Sequence, residues 1–263
     1  MAEPGGAEAI AAAFRGHGRR AALMPYLMGG FPDMETSLAV GRACIDGGAD
    51  LLELGVPFSD PLADGPVIHA AATAALEAGA TVHGVLDVCA GLSGSVPVAL
   101  MVYANTIDAM GELRFAAAAA EAGAAGLIVP DLPHDEAAGL LAACDQSGLA
   151  LIPLVAPNTT PERMAAIGAD ARGFVYTVSV AGTTGERDGI PPELGATVER
   201  VRAATDLPVA VGFGIATPDD ARAVGELADG VIVGTRVVRA AGEGGPAEVE
   251  QIVRALAGGL ETG

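Results

Sequence analysis

Short apolar runs alternate along the chain with longer, alanine-rich stretches. The apolar runs are nearly continuous, which is typical of parallel strands covered on both faces. They predict eight strands, at 22–28, 50–54, 97–102, 126–130, 149–154, 173–178, 208–212 and 229–233. The stretches between them predict helices at 34–47, 68–91 (long enough for two), 111–122, 134–147, 160–168, 193–204, 217–226 and 246–258.

Capping patterns support several of these helices. Asp33, the segment 158–161 (NTTP) and the segment 217–220 (TPDD) are typical of helix starts. Residues 5–16 predict an extra helix before the first strand, placed to plug the bottom of a barrel. Eight βα units in about 250 residues match one (β/α)8 barrel. We therefore predict an α/β fold, a single TIM barrel with an extra N-terminal helix and one domain over 1–263. An open doubly wound sheet is the alternative.

Composition excludes several classes of function. The formal net charge is −19 and no basic stripe is present, so a nucleic-acid partner is not expected. Apolar residues make up 51% of the chain, which argues against disorder. The chain has no run of 18 apolar residues, and no basic region precedes an apolar stretch at its N-terminus, so we predict neither a membrane span nor a signal peptide. Three widely spaced cysteines suggest reduced thiols and a cytoplasmic location.

The basic residues narrow the chemistry further. All 14 are arginine, which excludes a lysine Schiff base and covalently bound pyridoxal phosphate. The four histidines show neither an i, i+4 pair nor a Cys-x-x-Cys partner, so a metal site has little support. We expect no metal and no organic cofactor.

The segment LLELGVPFSDPLADGP, residues 51–66, places Glu53 inside the second predicted strand and Asp60 and Asp64 in the following loop. A carboxylate in an apolar strand is costly unless it is paired or protonated. Glu53 is therefore either a structural acid bonded to backbone or arginine, or a catalytic acid/base, and the strand alone favours neither. Asp64 by itself would be a turn residue. Together, at the carboxyl ends of barrel strands, the two indicate catalysis.

Glycine-rich turns follow the last two predicted strands. VGFGIATPDD (211–220) and VGTR (233–236) would each offer backbone N–H groups where a short helix begins. Barrels bind phosphate this way without lysine. The loop VAGTTGERDGIPP (180–192) is either disordered or a lid that closes over substrate and brings Gly185 to the phosphate. Tyr26 and Tyr103 fall on predicted strands, where core packing is the simpler interpretation for Tyr26.

These motifs resemble the tryptophan synthase α subunit family. LELGVPFSDPLADGP is its hallmark segment, and GGFPD, MVYAN, VPDLP, GTTG, GFGI and VGT follow in the family's order and spacing over nearly the whole chain. The resemblance implies a (β/α)8 barrel that cleaves indole-3-glycerol phosphate to indole and glyceraldehyde 3-phosphate by a retro-aldol reaction. It also implies a pyridoxal-phosphate β subunit as partner, in an α2β2 heterotetramer.

By the same resemblance, Glu53 is the catalytic acid/base and Asp64 the second carboxylate. The implied phosphate site consists of Gly185, Gly214, Gly234 and Thr235. The implied substrate-binding residues are Tyr26, Met101, Tyr103, Asp131, Tyr176, Thr184 and Phe213. Three positions depart from the family pattern: Thr235 replaces serine, while His69 and Val180 stand where amide and often basic side chains are expected. These departures affect loop contacts rather than the reaction.

Alternatives from other classes remain at this point. The chain could be an indole-releasing lyase that works alone, another phosphate-binding barrel such as a sugar-phosphate isomerase or epimerase, or a barrel that acts mainly as an allosteric partner. The carboxylate pair favours a lyase over the allosteric partner. The PFSDPLADGP segment favours it over the isomerase.

Overall fold

One parallel sheet carries the predicted strands, in a computed structural model that describes residues 5–178, 193–212 and 214–262. The sheet order is β5-β4-β3-β2-β1-β9-β8-β7-β6 and every pairing is parallel. The strands are β1 (Ala22–Met28), β2 (Leu52–Gly55), β3 (Val98–Met101), β4 (Gly126–Ile128), β5 (Ala150–Ile152), β6 (Leu154–Val155), β7 (Val175–Val178), β8 (Val209–Gly212) and β9 (Gly230–Val233).

The sheet shows nine strands instead of eight because Pro153 divides the predicted strand 149–154. β5 pairs with β4 and β6 pairs with β7, and the two pieces are consecutive in the chain. Proline has no N–H to donate to a ladder, but its carbonyl still accepts the Tyr176 N–H at 3.0 Å. The two ends of the sheet order therefore meet at one interrupted strand. We call this junction, residues 150–155, the seam of the barrel.

Helices cover the outside of the sheet. They are α1 (Gly6–Gly16), α2 (Met34–Asp46), α3 (Pro66–Glu77), α4 (Val82–Leu92), α5 (Ala104–Met110), α6 (Glu112–Glu121), α7 (Ala138–Ser147), α8 (Pro161–Asp170), α9 (Leu194–Arg202), α10 (Pro218–Gly225), α11 (Thr235–Glu243) and α12 (Gly245–Gly259). The segment 68–91 forms two helices, as the length allowed. The helix predicted at 134–147 starts as a 3-10 turn, His134–Glu136, and α5 occupies a segment for which no helix was predicted.

The predicted caps begin three helices. The Asp33 carboxylate accepts the Thr36 N–H at 2.8 Å at the start of α2. Thr160 caps α8 ahead of Pro161. Thr217 and Asp220 form a reciprocal capping box on α10. Each cap satisfies a backbone donor that would otherwise lack an intrahelical acceptor.

Two apolar layers hold the barrel. The outer layer lies between sheet and helices and contains side chains such as Leu27, Leu54 and Leu100. The inner layer fills the bottom of the barrel, where Ile10 and Phe14 of α1 pack with Phe174, whose ring centroid lies 5.5 Å from that of Phe14. The extra helix thus closes the amino-terminal end of the barrel and leaves the carboxyl-terminal end for a site.

In the described ranges, no single helix is both long and apolar enough to cross a membrane. Only α3 and α4 taken together reach that length and hydropathy, across a bend of 109°.

Candidate functional site

A cavity of about 730 Å³ occupies the carboxyl-terminal end of the barrel. β2 brings Glu53 to it, and the loop after β2 brings Asp64. Tyr26 of β1, Met101 of β3 and Tyr176 of β7 also line the cavity. Residues far apart in sequence meet here because all strands are parallel and end at the same rim.

Glu53 is buried, with 3% of its surface exposed. Its Oε1 atom has no hydrogen-bond partner among the residues that the structure describes. Burial raises the pKa of this carboxyl to about 8, and the nearby Asp64 adds to the increase. Near neutral pH the Glu53 carboxyl is therefore protonated, and it lines the cavity in which a substrate would bind.

Asp64 lies in a less extreme environment. It is partly buried, and burial raises its pKa to about 6, while a hydrogen bond from Tyr103 and the charge of His69 act in the opposite direction. At pH 7 the pair therefore consists of a protonated Glu53 and an ionised Asp64. Two carboxyls of which only one is ionised can divide the roles of proton donor and fixed negative charge.

Two tyrosines form part of the cavity wall beside glycines of the neighbouring strand. A Cβ atom added at Gly212 would lie 2.5 Å from the Tyr176 hydroxyl oxygen, and one added at Gly55 would collide with the hydroxyl of Tyr26. Burial raises the pKa of both tyrosines well above the usual value, so their hydroxyls stay protonated. The glycines leave the space in which the two rings lie.

The predicted phosphate-binding residues lie on the same wall. Gly214, with φ of 64°, follows β8, while Gly234 and Thr235 form the junction between β9 and α11, and all three line the cavity. Gly234 is the N-cap of α11 and provides no side chain to cap it. By contrast, the Asp220 carboxylate accepts the N–H groups of Ala216 and Thr217 at the start of α10. The donors available to an anion are thus those around Gly214 and the start of α11.

The remaining predicted residues are placed as follows. Tyr103 is buried behind the cavity wall, and Asp131 is exposed and accepts the Ala104 N–H at 2.9 Å. Neither is part of the cavity lining. Thr184, Gly185, Phe213 and Val180 lie outside the described residues.

Sequence reasoning missed much of the apolar lining. Ile68 on α3, Ile232 on β9 and Val129 after β4 contribute to the cavity wall. Ile68 lies two residues beyond the DGP turn, and the strand residues alternate towards the inside of the barrel. Helical and strand periodicity could have indicated them once the barrel register was known.

The cavity extends beyond the barrel mouth. Leu132, Pro133 and Ala156 lead from the rim to a groove between α7 and α8, outside the seam. Two ion pairs lie across or beside this groove, Arg163–Asp135 at 3.3 Å and Arg172–Asp145 at 3.3 Å, and His134 Nε2 lies 3.6 Å from the Asp170 carboxylate. Part of the 730 Å³ is therefore groove rather than barrel interior.

No cluster of three or more His, Cys, Asp or Glu residues suited to a metal ion occurs within the described ranges. The chemistry that these residues can perform is proton transfer by a neutral acid next to a fixed carboxylate.

The family described as Tryptophan synthase alpha chain matches residues 14–261. The chain belongs to the tryptophan synthase alpha chain family. It is 48% identical over 235 residues to the tryptophan synthase alpha chain of Prochlorococcus marinus (strain MIT 9313), covering 88% of this chain and 86% of the relative. It is 46% identical over 245 residues to that of Acidothermus cellulolyticus, covering 92% of each.

Solved structures agree with this assignment. A structure of Mycobacterium tuberculosis tryptophan synthase superposes with a TM-score of 0.92 at 40% identity, over 99% of this chain and 100% of that one. The alpha chain of Legionella pneumophila superposes with a TM-score of 0.87 at 34% identity, over 97% and 98%. The expected α/β barrel is confirmed, and the open doubly wound sheet is excluded.

The Glu53 carboxyl makes stability depend on pH. Its pKa is higher in the folded chain, at about 8, than the usual 4.5, so the folded state binds more protons between these values. Unfolding free energy should therefore fall as pH rises through this window. We expect Glu53→Gln to remove this part of the slope and to be more stable than the wild type at pH 9, by an amount on the order of a few kcal/mol.

Urea unfolding at pH 5, 7 and 9 measures this effect. Glu77→Gln, at an exposed position of α3, is the matched control for loss of one negative charge. Equal pH slopes for Glu53→Gln and the wild type would show that Glu53 is ionised in the folded protein at neutral pH.

Proposed function

We propose that this chain cleaves indole-3-glycerol phosphate to indole and glyceraldehyde 3-phosphate, as the α subunit of a tryptophan synthase. Membership of the tryptophan synthase alpha chain family supports the reaction class, a carbon–carbon lyase. The observation that carries the proposal is the pair Glu53 and Asp64 at one cavity, the first protonated and the second ionised near neutral pH.

The pair suits the order of proton transfers in a retro-aldol cleavage. Glu53 delivers its proton to C3 of the indole ring, and its carboxylate then takes the proton of the side-chain hydroxyl as the carbon–carbon bond breaks. The ring nitrogen becomes positive after C3 is protonated, and the Asp64 carboxylate stabilises that charge. Glu53 ends the cycle protonated again, so no external acid or base is consumed.

The wall of the cavity supports the choice of substrate. Tyr26, Met101 and Tyr176 provide a largely apolar surface for the indole ring, which we propose binds between them. We propose that the phosphate binds at Gly214, Gly234 and Thr235, where the start of α11 favours an anion despite the negative net charge of the chain. From the sequence resemblance alone, we also propose Gly185 as a phosphate-binding residue and Thr184 and Phe213 as substrate-binding residues. No metal or organic cofactor is required for these steps.

The first test is indole release by purified variants. Glu53→Gln keeps the shape of the side chain but cannot transfer a proton, so turnover should fall by about 10²–10⁴ or more. Asp64→Asn should lower kcat more than it raises KM, because its charge acts as the transition state forms. Glu77→Gln controls for net charge. Normal turnover by a correctly folded Glu53→Gln variant would refute the assignment.

The second test is the pH dependence of kcat/KM. Activity should rise as Asp64 ionises, around pH 6, and fall as Glu53 loses its proton, around pH 8. Asp64→Asn should remove the acid limb from what activity remains. A profile that keeps rising above pH 9 would mean that Glu53 must be ionised to act, contrary to the proposed role.

We further propose that the chain, as a single domain in the cytoplasm, docks onto a pyridoxal-phosphate β subunit in an α2β2 complex. The docking face comprises the loop 56–63, residues 104–110 and residues 180–192, of which the last lie outside the described residues. In the loop, Leu62 has 85% of its surface exposed. The Phe58 ring stacks on Tyr103 at 5.2 Å, which joins the loop to the start of α5.

A charged residue at this face should weaken the complex. Leu62→Glu is expected to raise the Kd for a cognate β subunit by at least tenfold, because it places a charge at an apolar contact. Ala12→Glu, on the exposed side of α1 at the opposite end of the barrel, is the matched control. Since the chain has no tryptophan, the fluorescence of the β subunit can report binding. Unchanged affinity, or indole release unaffected by the β subunit, would favour a lyase that works alone.

A further inference from the structure

The Tyr103 hydroxyl contacts the loop that carries Asp64. Its oxygen accepts the Ala63 N–H at 3.1 Å and so holds the backbone of the residue just before Asp64. A phenol also has one hydrogen to donate, and an ionised carboxylate can only accept. The influence of this hydroxyl lowers the pKa of Asp64, so Tyr103 favours the ionised carboxylate as well as the position of the backbone beside it.

The position of Tyr103 is itself fixed from two sides. It is the N-cap residue of α5, and the N–H of the next residue, Ala104, donates to Asp131 Oδ1 at 2.9 Å. On the other side, its ring stacks on Phe58 at 5.2 Å with an interplanar angle of 25°. The ring is 3% exposed, so it has little freedom to move. Phe58 and Ala63 of the loop 56–63 thus contact the Tyr103 side chain, while Asp131 holds the backbone next to it.

We propose that Tyr103 is a positioning residue, which holds Asp64 towards the cavity through its hydroxyl, and that Asp131 in turn holds Tyr103. Both residues were expected to contact substrate, but neither lines the cavity: Tyr103 is buried and Asp131 is exposed. Asp64 lies in the loop between β2 and α3. Without the contact to Tyr103, the Asp64 side chain could adopt several rotamers. A fixed carboxylate needs no reorganisation when charge develops on the substrate.

Several titratable groups interact with Asp64 from neighbouring elements. Glu53 approaches from β2, Tyr26 from β1, Tyr176 from β7 and His69 from α3. Burial raises the pKa of Asp64, whereas the Tyr103 hydrogen bond and His69 lower it. Removing the hydroxyl therefore removes one of the two contributions that keep Asp64 ionised, and its pKa should rise.

The decisive experiment is a titration of Asp64 in the ligand-free chain. Protein labelled with carbon-13 at aspartate carboxyls is titrated by NMR, and Asp64→Asn identifies the resonance. Tyr103→Phe keeps the ring and its stacking on Phe58 but lacks the hydroxyl. We expect it to raise the apparent pKa of Asp64 by about one unit. Thr73→Val is the matched control, since it removes an exposed hydroxyl that donates to the His69 carbonyl at 3.1 Å.

The kinetic arm rests on the proposed function. Tyr103→Phe should lower kcat about tenfold or more with little change in KM, and should move the acid limb of the pH profile to higher pH. Asp131→Ala should act in the same direction, and Asp131→Asn, which keeps an acceptor for the Ala104 N–H, should restore activity. An unmoved Asp64 titration overturns the proposal, and so does a rise in KM alone, which would mean direct contact with substrate. If the wild type releases no indole, the proposed function fails while the titration still decides the role of Tyr103.

Discussion

Closure of a parallel sheet is the constraint on which this structure depends. A parallel strand must hide both faces and pair on both edges, so the chain surrounds its sheet with helices and joins the first strand to the last. All carboxyl ends then meet at one rim, which brings Glu53 of β2 and Gly234 after β9 to the same cavity. At the amino-terminal end, apolar side chains of α1 fill the barrel interior, where Phe14 packs against Phe174.

The two carboxyls show how one rim can hold two different acids. Glu53 sits within the wall, where water is excluded and the neutral form is favoured. Asp64 sits in a loop, where a hydroxyl and an imidazole can reach it and favour the charge. The strand gives the first acid its burial, and the loop gives the second its partners. Differences in burial and hydrogen bonding, rather than in residue type, therefore separate their roles.

The order of elements and the identity of Glu53 could be predicted because they depend on local pattern. Apolar runs mark the strands, and an acid inside such a run stands out. The split at Pro153 was not predicted, although the proline is visible in the sequence. A proline can occupy a strand position whose N–H is not needed for the ladder, so its presence alone does not show that the strand is divided. α5 was missed because seven residues after a strand also fit a loop.

Local sequence patterns could not predict contacts between residues that are far apart in the chain. Ala63 and Tyr103 are 40 positions apart, and nothing in either segment indicates that their atoms meet. Asp131 was expected at the substrate from resemblance, whereas its carboxylate binds the Ala104 N–H of another βα loop. Such relations depend on the register of neighbouring strands, which only the assembled barrel determines.

The seam at Pro153 has a consequence for local unfolding. β6 is joined to β7 by two residue pairs, whereas β7 is joined to β8 by four. Outside the seam, α7 and α8 are separated by a groove. The two arginine–aspartate ion pairs beside it involve partly exposed side chains, and such pairs contribute little to stability. Hydrogen exchange and sub-global opening should therefore begin at this side of the barrel rather than along β1 and β2. The part of the wall that carries Tyr176 is then the part of the cavity that can open at the lowest free energy, while the strands beneath Glu53 remain paired.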